Sequence, residues 1–267
     1  MKEERRLSEE EVFRRVLESV RSRKEDEEAF EELRRINRER REEIGEEKAR
    51  VLGKELIEKC EEKSPSIERV VKLILEGADV NFKDDMERTA LYCTFGCGYI
   101  NVECIKILVE AGADVNAKIH GGNSILYEMV GCCQPNPPEA LEILLKAGAC
   151  VDVGTPYNFT PLMHAVAFKS KPLVNLFIKY NANLFVVNAS GKTAYDCACD
   201  NGDEEIKNIL KDYMFALNKK IKNLVNEKKV WEKLNEKDKE FMENAIKFML
   251  TKCDKMVADV IDILINS

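Results

Sequence analysis

The chain has 267 residues, of which 45% are apolar and 34% charged, with 42 basic side chains against 49 acidic ones. This is enough apolar material for one large domain or two ordinary ones, and it excludes wholesale disorder. A net charge of −7 argues against a general nucleic-acid binder, which needs a basic excess to displace phosphate counterions. Only His120 and His164 are available for histidine-based metal or triad chemistry. Residues 1–6 are charged, with no apolar signal segment, and no run reaches the ~18 apolar residues of a membrane span. The expectation is a cytoplasmic protein that needs neither a membrane nor nucleic acid.

Residues 1–53 form a charged segment rich in arginine and glutamate, with 12 of the chain's 14 arginines. Ser8-Glu9-Glu10-Glu11 is a capping-box pattern. Val12, Phe13, Val16, Leu17 and Val20 then make one apolar helical stripe, and Ala29, Phe30, Leu33 and Ile36 make a second. An arginine arm for RNA is the alternative, and the equal number of acids argues against it. The abrupt arginine bias leaves open a segment of separate origin.

The middle of the chain repeats itself. Gly77, Gly112, Gly148 and Asn181 each follow an apolar run and sit 35, 36 and 33 residues apart. Thr89, Ser124, Thr160 and Thr193 each precede an apolar run and show the same three steps. Thr or Ser in that place is a helix N-cap, whose oxygen accepts a bond from a free backbone N–H. Gly, or next-best Asn, after an apolar helix is a left-handed stop. Each unit therefore reads as helix, turn, helix, stop and extended loop, and only stacking can bury its apolar face.

These two columns resemble the ankyrin repeat, whose signature is T-P-L-H-x-A at the first helix and G-A-D-x-N after the second. Thr160-Pro161-Leu162 and Gly112-Ala113-Asp114-Val115-Asn116 match best. The resemblance covers residues 54–212 in about five units, and implies an all-α solenoid of helix-turn-helix repeats with helical flanks at both ends. The motif histidine is replaced by Tyr92, Tyr127, Met163 and Asp196. Extra residues at Gly96-Cys97-Gly98-Tyr99 and between Cys132 and Pro138 predict protruding loops. The first unit is degenerate, with helices expected near 52–60 and 67–75. The last ends near Asp212 with a polar second helix, as a terminal repeat needs.

Residues 213–267 form amphipathic helices. Met242, Ile246, Met249, Cys253, Met256, Val260 and Ile263 recur at alternating spacings of four and three, a heptad-like seam. Such a face must be buried, against the rest of the chain, against a second copy through 240–267, or in a partner's groove.

No phosphate loop, nucleophile elbow or zinc-protease motif occurs, and Gly191-Lys192-Thr193 lacks the upstream glycine of a phosphate loop. The expectation is a non-enzyme without cofactor. Cys93 and Cys97, four residues apart, are the metal or redox alternative; small apolar thiols in a reduced core are the plainer reading.

The resemblance implies a module that binds a protein or peptide on loop tips and first-helix faces. The tip positions are Asp85, Met86, Arg88, His120, Asn123, Tyr157, Phe159 and Lys192, and the first-helix positions include Cys97, Cys132 and Phe168. Tyr157, Phe159 and Phe168 would make an aromatic cluster of the kind that anchors interfaces. Residues 55–212 hold 15 basic and 23 acidic groups, so a basic partner is expected.

Overall fold

A computed structural model describes residues 7–22, 25–96, 99–119, 121–132 and 138–226. The seam at 242–263, and with it the 240–267 helix, lies outside the described residues. Contacts divide the chain into two compact units, Met1–His164 and Ala165–Ser267.

The first unit contains α1 (Glu9–Ser22), α2 (Glu27–Ile44), α3 (Glu46–Cys60), α4 (Ile67–Leu75) and α5 (Ala90–Cys93). A hairpin of β1 (Phe95–Gly96) and β2 (Tyr99–Ile100) follows, then α6 (Val102–Glu110), α7 (Ile125–Cys132) and α8 (Pro138–Lys146). After α9 (Pro161–Ala167), the second unit contains α10 (Lys171–Lys179), α11 (Ala194–Asp200) and α12 (Glu204–Asn226). The fold is all-α, built from consecutive helix pairs.

Both repeated columns do the backbone work their chemistry suggests. Thr89, Ser124, Thr160 and Thr193 accept hydrogen bonds through their hydroxyls from the N–H three residues on, at 3.1–3.3 Å. At Thr193 the box is complete, because Asp196 Oδ2 accepts the Thr193 N–H at 2.9 Å. Gly77, Gly112, Gly148 and Asn181 have φ of 94°, 95°, 88° and 57°. Each donates to a carbonyl three residues back, while the alanine after it reaches five back: Ala78 to Leu73, Ala113 to Leu108, Ala149 to Leu144 and Ala182 to Phe177, all at 2.9 Å. This double closure satisfies the otherwise free carbonyls of the helix end.

The Asp-x-Asn that follows the stop has a second task. Asp79 and Asp114 accept through Oδ1 from the N–H of Asn81 and Asn116, fixing a tight turn. The Asn81 amide then bridges to the next unit, donating to Gly112 O (3.1 Å) and accepting from Asp114 N–H (2.8 Å). Asn116 repeats this with Gly148 O and Cys150 N–H.

Three elements differ from the sequence expectation. The leading helix of the first pair begins at Glu46, not near Leu52, because Gly45 (φ 79°) ends α2 and lets the next helix start at once. The Gly96–Tyr99 insertion, expected as a protruding loop, has paired strand ends, with Phe95 opposite Ile100 and Gly96 opposite Tyr99. The Tyr99 ring lies 2.8 Å from where a Cβ on residue 96 would be, so a side chain there would have to displace the ring. The last helix among the described residues, α12, runs past Asp212 to Asn226, since no left-handed stop interrupts it.

The charged N-terminal segment is a helical hairpin sharing the first unit's core. α1 packs on α4 and α6, and α2 packs on α3 and α4. Val12, Val16, Leu17, Val20, Phe30, Leu33 and Ile36 are all buried. Its polar anchor is Asn37, 6% exposed, whose Nδ2 donates to Ile74 O (2.6 Å) and Ala78 O (3.1 Å) beside the end of α4. The arginines pair with acids: Arg15 with Asp26 and Glu28, Arg40 with Glu9 and Glu43, Arg21 with Glu68.

Asn37→Ala removes the side-chain donor to Ala78 O and one of the two donors to Ile74 O, which keeps the Gly77 N–H, and should lower unfolding free energy by about 2 kcal/mol. Arg14→Ala, which breaks an ion pair exposed on both sides, should cost under about 0.5 kcal/mol. Urea unfolding of both variants checks the contrast.

Candidate functional site

The four loop tips share one backbone design. In the first, Asp84 N–H donates to Arg88 O (3.1 Å) and Glu87 N–H donates to Asp84 O (2.9 Å). The same two bonds join Ile119, Gly122 and Asn123, then Thr155, Asn158 and Phe159, then Asn188, Gly191 and Lys192. The residue before the closing one is left-handed each time: Glu87 (59°), Gly122 (77°), Asn158 (56°) and Gly191 (70°). This is a tight turn followed by a left-handed residue, a standard way to join two extended segments.

Three tips add a side-chain brace. Asp84 Oδ1 accepts from Met86 N–H (2.9 Å) and Arg88 N–H (2.8 Å). Thr155 Oγ1 does the same for Tyr157 and Phe159, and Asn188 Oδ1 for Ser190 and Lys192. The second tip has Ile119 there, which cannot accept, and uses two left-handed glycines, Gly121 and Gly122.

This geometry sorts the tip residues into two kinds. The closing positions are engaged by the protein itself. Arg88 donates through Nε to Asp84 Oδ2 (2.8 Å) and through Nη1 to Glu61 Oε1 (2.6 Å). Asn123 Nδ2 donates to Glu128 Oε1 (2.6 Å), and Lys192 Nζ pairs with Asp200 (2.6 Å). Phe159 is half-buried, edge-on to the rings of Tyr127 (6.3 Å) and His164 (6.1 Å), so it is not an open tip residue. The apex positions face outward: Asp85 is exposed, Met86 is 65% exposed and Tyr157 73%. His120 lies outside the described residues, as does Cys97. Phe168, just past α9 in the second unit, is also exposed.

Sequence reasoning passed over two residues. Tyr127, in the column of the missing motif histidine, stacks on His164 at 4.2 Å with planes 18° apart. Gly131 leaves room for that imidazole, which stands 2.5 Å from where a Cβ would be. Glu87 is the other. Its column, 87, 122, 158 and 191, follows the same 35, 36 and 33 steps as the two columns that were read, and that signal was sufficient to find it.

The buried cysteines favour the packing reading. Cys60, Cys93 and Cys104 are in the core. Burial pushes the Cys93 thiol up to about 12, which keeps it protonated and a poor nucleophile or ligand. Among the described residues no three His, Cys, Asp or Glu side chains are placed to hold a metal ion, and no helix is long and apolar enough to cross a membrane.

Burial lowers the His164 pKa, outweighing the bond of Nδ1 to Tyr127 O and the nearby Glu128 carboxylate, which both raise it. A half-buried histidine whose proton is disfavoured makes the unfolded chain the better proton acceptor at mild acid. Stability should therefore fall as pH drops through the unfolded value near 6.5 and level off below the folded pKa. Melting temperatures at pH 7.5 and 5.5 should differ less in His164→Gln than in the parent chain.

A family profile described as ankyrin repeats in three copies matches residues 60–155 and again 129–223. The chain is 34% identical over 96 residues to ankyrin repeat and SOCS box protein 11 of Mus musculus, which covers 36% of this chain and 28% of the mouse protein. It is 23% identical to YahD of Escherichia coli (strain K12), named as an ankyrin repeat protein, across 54% of this chain and 89% of that one. The chain thus spans little more than a quarter of the mouse relative's length. With the N-capped first helices, the left-handed stops and the profile all in one register over more than half of its length, the chain belongs to the ankyrin-repeat family.

Proposed function

We propose that this protein is an intracellular adaptor that binds a basic protein or peptide on the tips and first-helix faces of its repeats. Ankyrin repeats are generally protein–protein interaction modules, and this supports a binding role. The observation that carries the reading is the sorting of the tips: the closing side chains serve the fold, while Met86 and Tyr157 expose large apolar surface that the fold does not use. Exposed methionine and tyrosine suit a recognition surface, since one adapts and the other brings a rigid ring with a polar end. Asp85 supplies charge beside Met86 and favours a basic partner. Phe168, in the second unit, is exposed and is by itself a candidate contact of that unit. From the mouse relative only the repeats are carried over, because the match covers 28% of that protein.

Peptides selected on the immobilised chain from a random display library test this. Tyr157→Ala should weaken their binding by about 2 kcal/mol with an unchanged melting temperature. Asp85→Ala should act mainly on association rate and its salt dependence. Selected peptides that bind both variants as they bind the parent chain would place the surface elsewhere.

A further inference from the structure

We infer that Glu87 is a recognition residue, and that the group it takes is a cationic side chain of the partner. The assignment rests on the proposed binding role of the tips. It starts from an exception in the fold. The left-handed slot holds Gly122, Asn158 and Gly191 in three tips and Glu87 (φ 59°) in the first. Glycine has no Cβ to clash there, and the short asparagine amide tolerates the region; a glutamate has neither advantage. The fold gains nothing back from the side chain. Glu87 is exposed, its N–H makes the same turn bond as in the other tips, and among the described residues its carboxylate has no hydrogen-bond or ion-pair partner. Its neighbours are satisfied without it: Asp84 braces the tip and also neutralises Arg88.

Backbone strain that the surrounding structure holds in place and does not use is characteristic of ligand-contacting positions. Here it directs a carboxylate outward next to Met86, 65% exposed. An apolar contact beside an unpaired negative charge on a fixed backbone complements a lysine or arginine flanked by an aliphatic residue. It would repel an acidic segment. Residues 55–212 carry the same sign of charge overall, so the local preference and the long-range field agree.

The test separates strain from recognition with two substitutions, read against a labelled seven-residue peptide of alternating lysine and leucine and its glutamate–leucine counterpart. Glu87→Gly removes strain and charge together. Its melting temperature should rise by about 2–4 °C while affinity for the lysine peptide falls roughly three- to fivefold. Glu87→Gln keeps the strain and removes only the charge, so it should melt like the parent chain and show the same loss of affinity. The loss should shrink as salt rises. Tyr157→Ala in parallel reports on the tips as a whole. If it weakens the lysine peptide and both Glu87 variants bind like the parent chain, the Glu87 assignment is wrong and the tip surface stands. If none of the three variants changes binding, or the parent chain does not prefer the lysine peptide, both fail.

Discussion

The left-handed residue that ends the second helix of each pair sets the path on which the remaining contacts depend. At Gly77, Gly112, Gly148 and Asn181 the chain reverses hand, closes two carbonyls and leaves the helix along one fixed direction. An L residue with a branched side chain would resist that conformation, and the helix would fray or run on. The following Asp-x-Asn depends on this exit. Only with the stop in place do the Asn81 and Asn116 amides meet the Gly112 and Gly148 carbonyls of the next unit. The bridge uses both halves of the amide, one as donor and one as acceptor, which explains asparagine at those two positions.

The N-terminal hairpin shows which forces hold an addition to such a stack. Its surface carries many ion pairs, but most involve at least one exposed partner, and such pairs contribute between nothing and about 1 kcal/mol each. The buried valines, leucines, isoleucine and Phe30 contribute on the order of 1.5–3 kcal/mol apiece as an upper range. Apolar burial therefore dominates the attachment. The charges, with Asn37, fix where the hairpin sits. Gly77 adds a steric condition, since a Cβ there would stand 3.0–3.2 Å from Arg40 and Arg41 of α2. The same glycine that stops α4 admits the close approach of α2.

The tips divide labour between positions four residues apart. The opening residue braces the turn with its side chain in three of the four, and the closing residue is tied to the protein by an ion pair, a side-chain amide hydrogen bond or ring packing. That leaves the apex, between them, as the part free to vary. A rigid base under a variable apex limits the conformational entropy lost when a partner binds. Tyr157 illustrates this, since Thr155 fixes its backbone N–H while its ring stays in solvent.

The sequence by itself determined the helix pairs, their caps and their stops, because these are local events. A threonine hydroxyl reaches an N–H three residues away whatever surrounds it, and glycine's freedom at positive φ is intrinsic. The spacing of those residues was enough to identify the repeat, and Leu91, Leu126 and Leu162, each two residues after a capping residue, are 1% exposed. Only the tertiary structure decided what long side chains do. Arg88, Asn123, Phe159 and Lys192 look like surface residues in the sequence, yet each finds a partner that no local pattern fixes, such as Glu61 for Arg88 or His164 for Phe159. The same holds for the arginine-rich start, whose apolar stripes were legible while their landing place on α4 and α6 was not. A stripe states that a face will be buried; which surface covers it depends on shape complementarity between segments far apart in the chain.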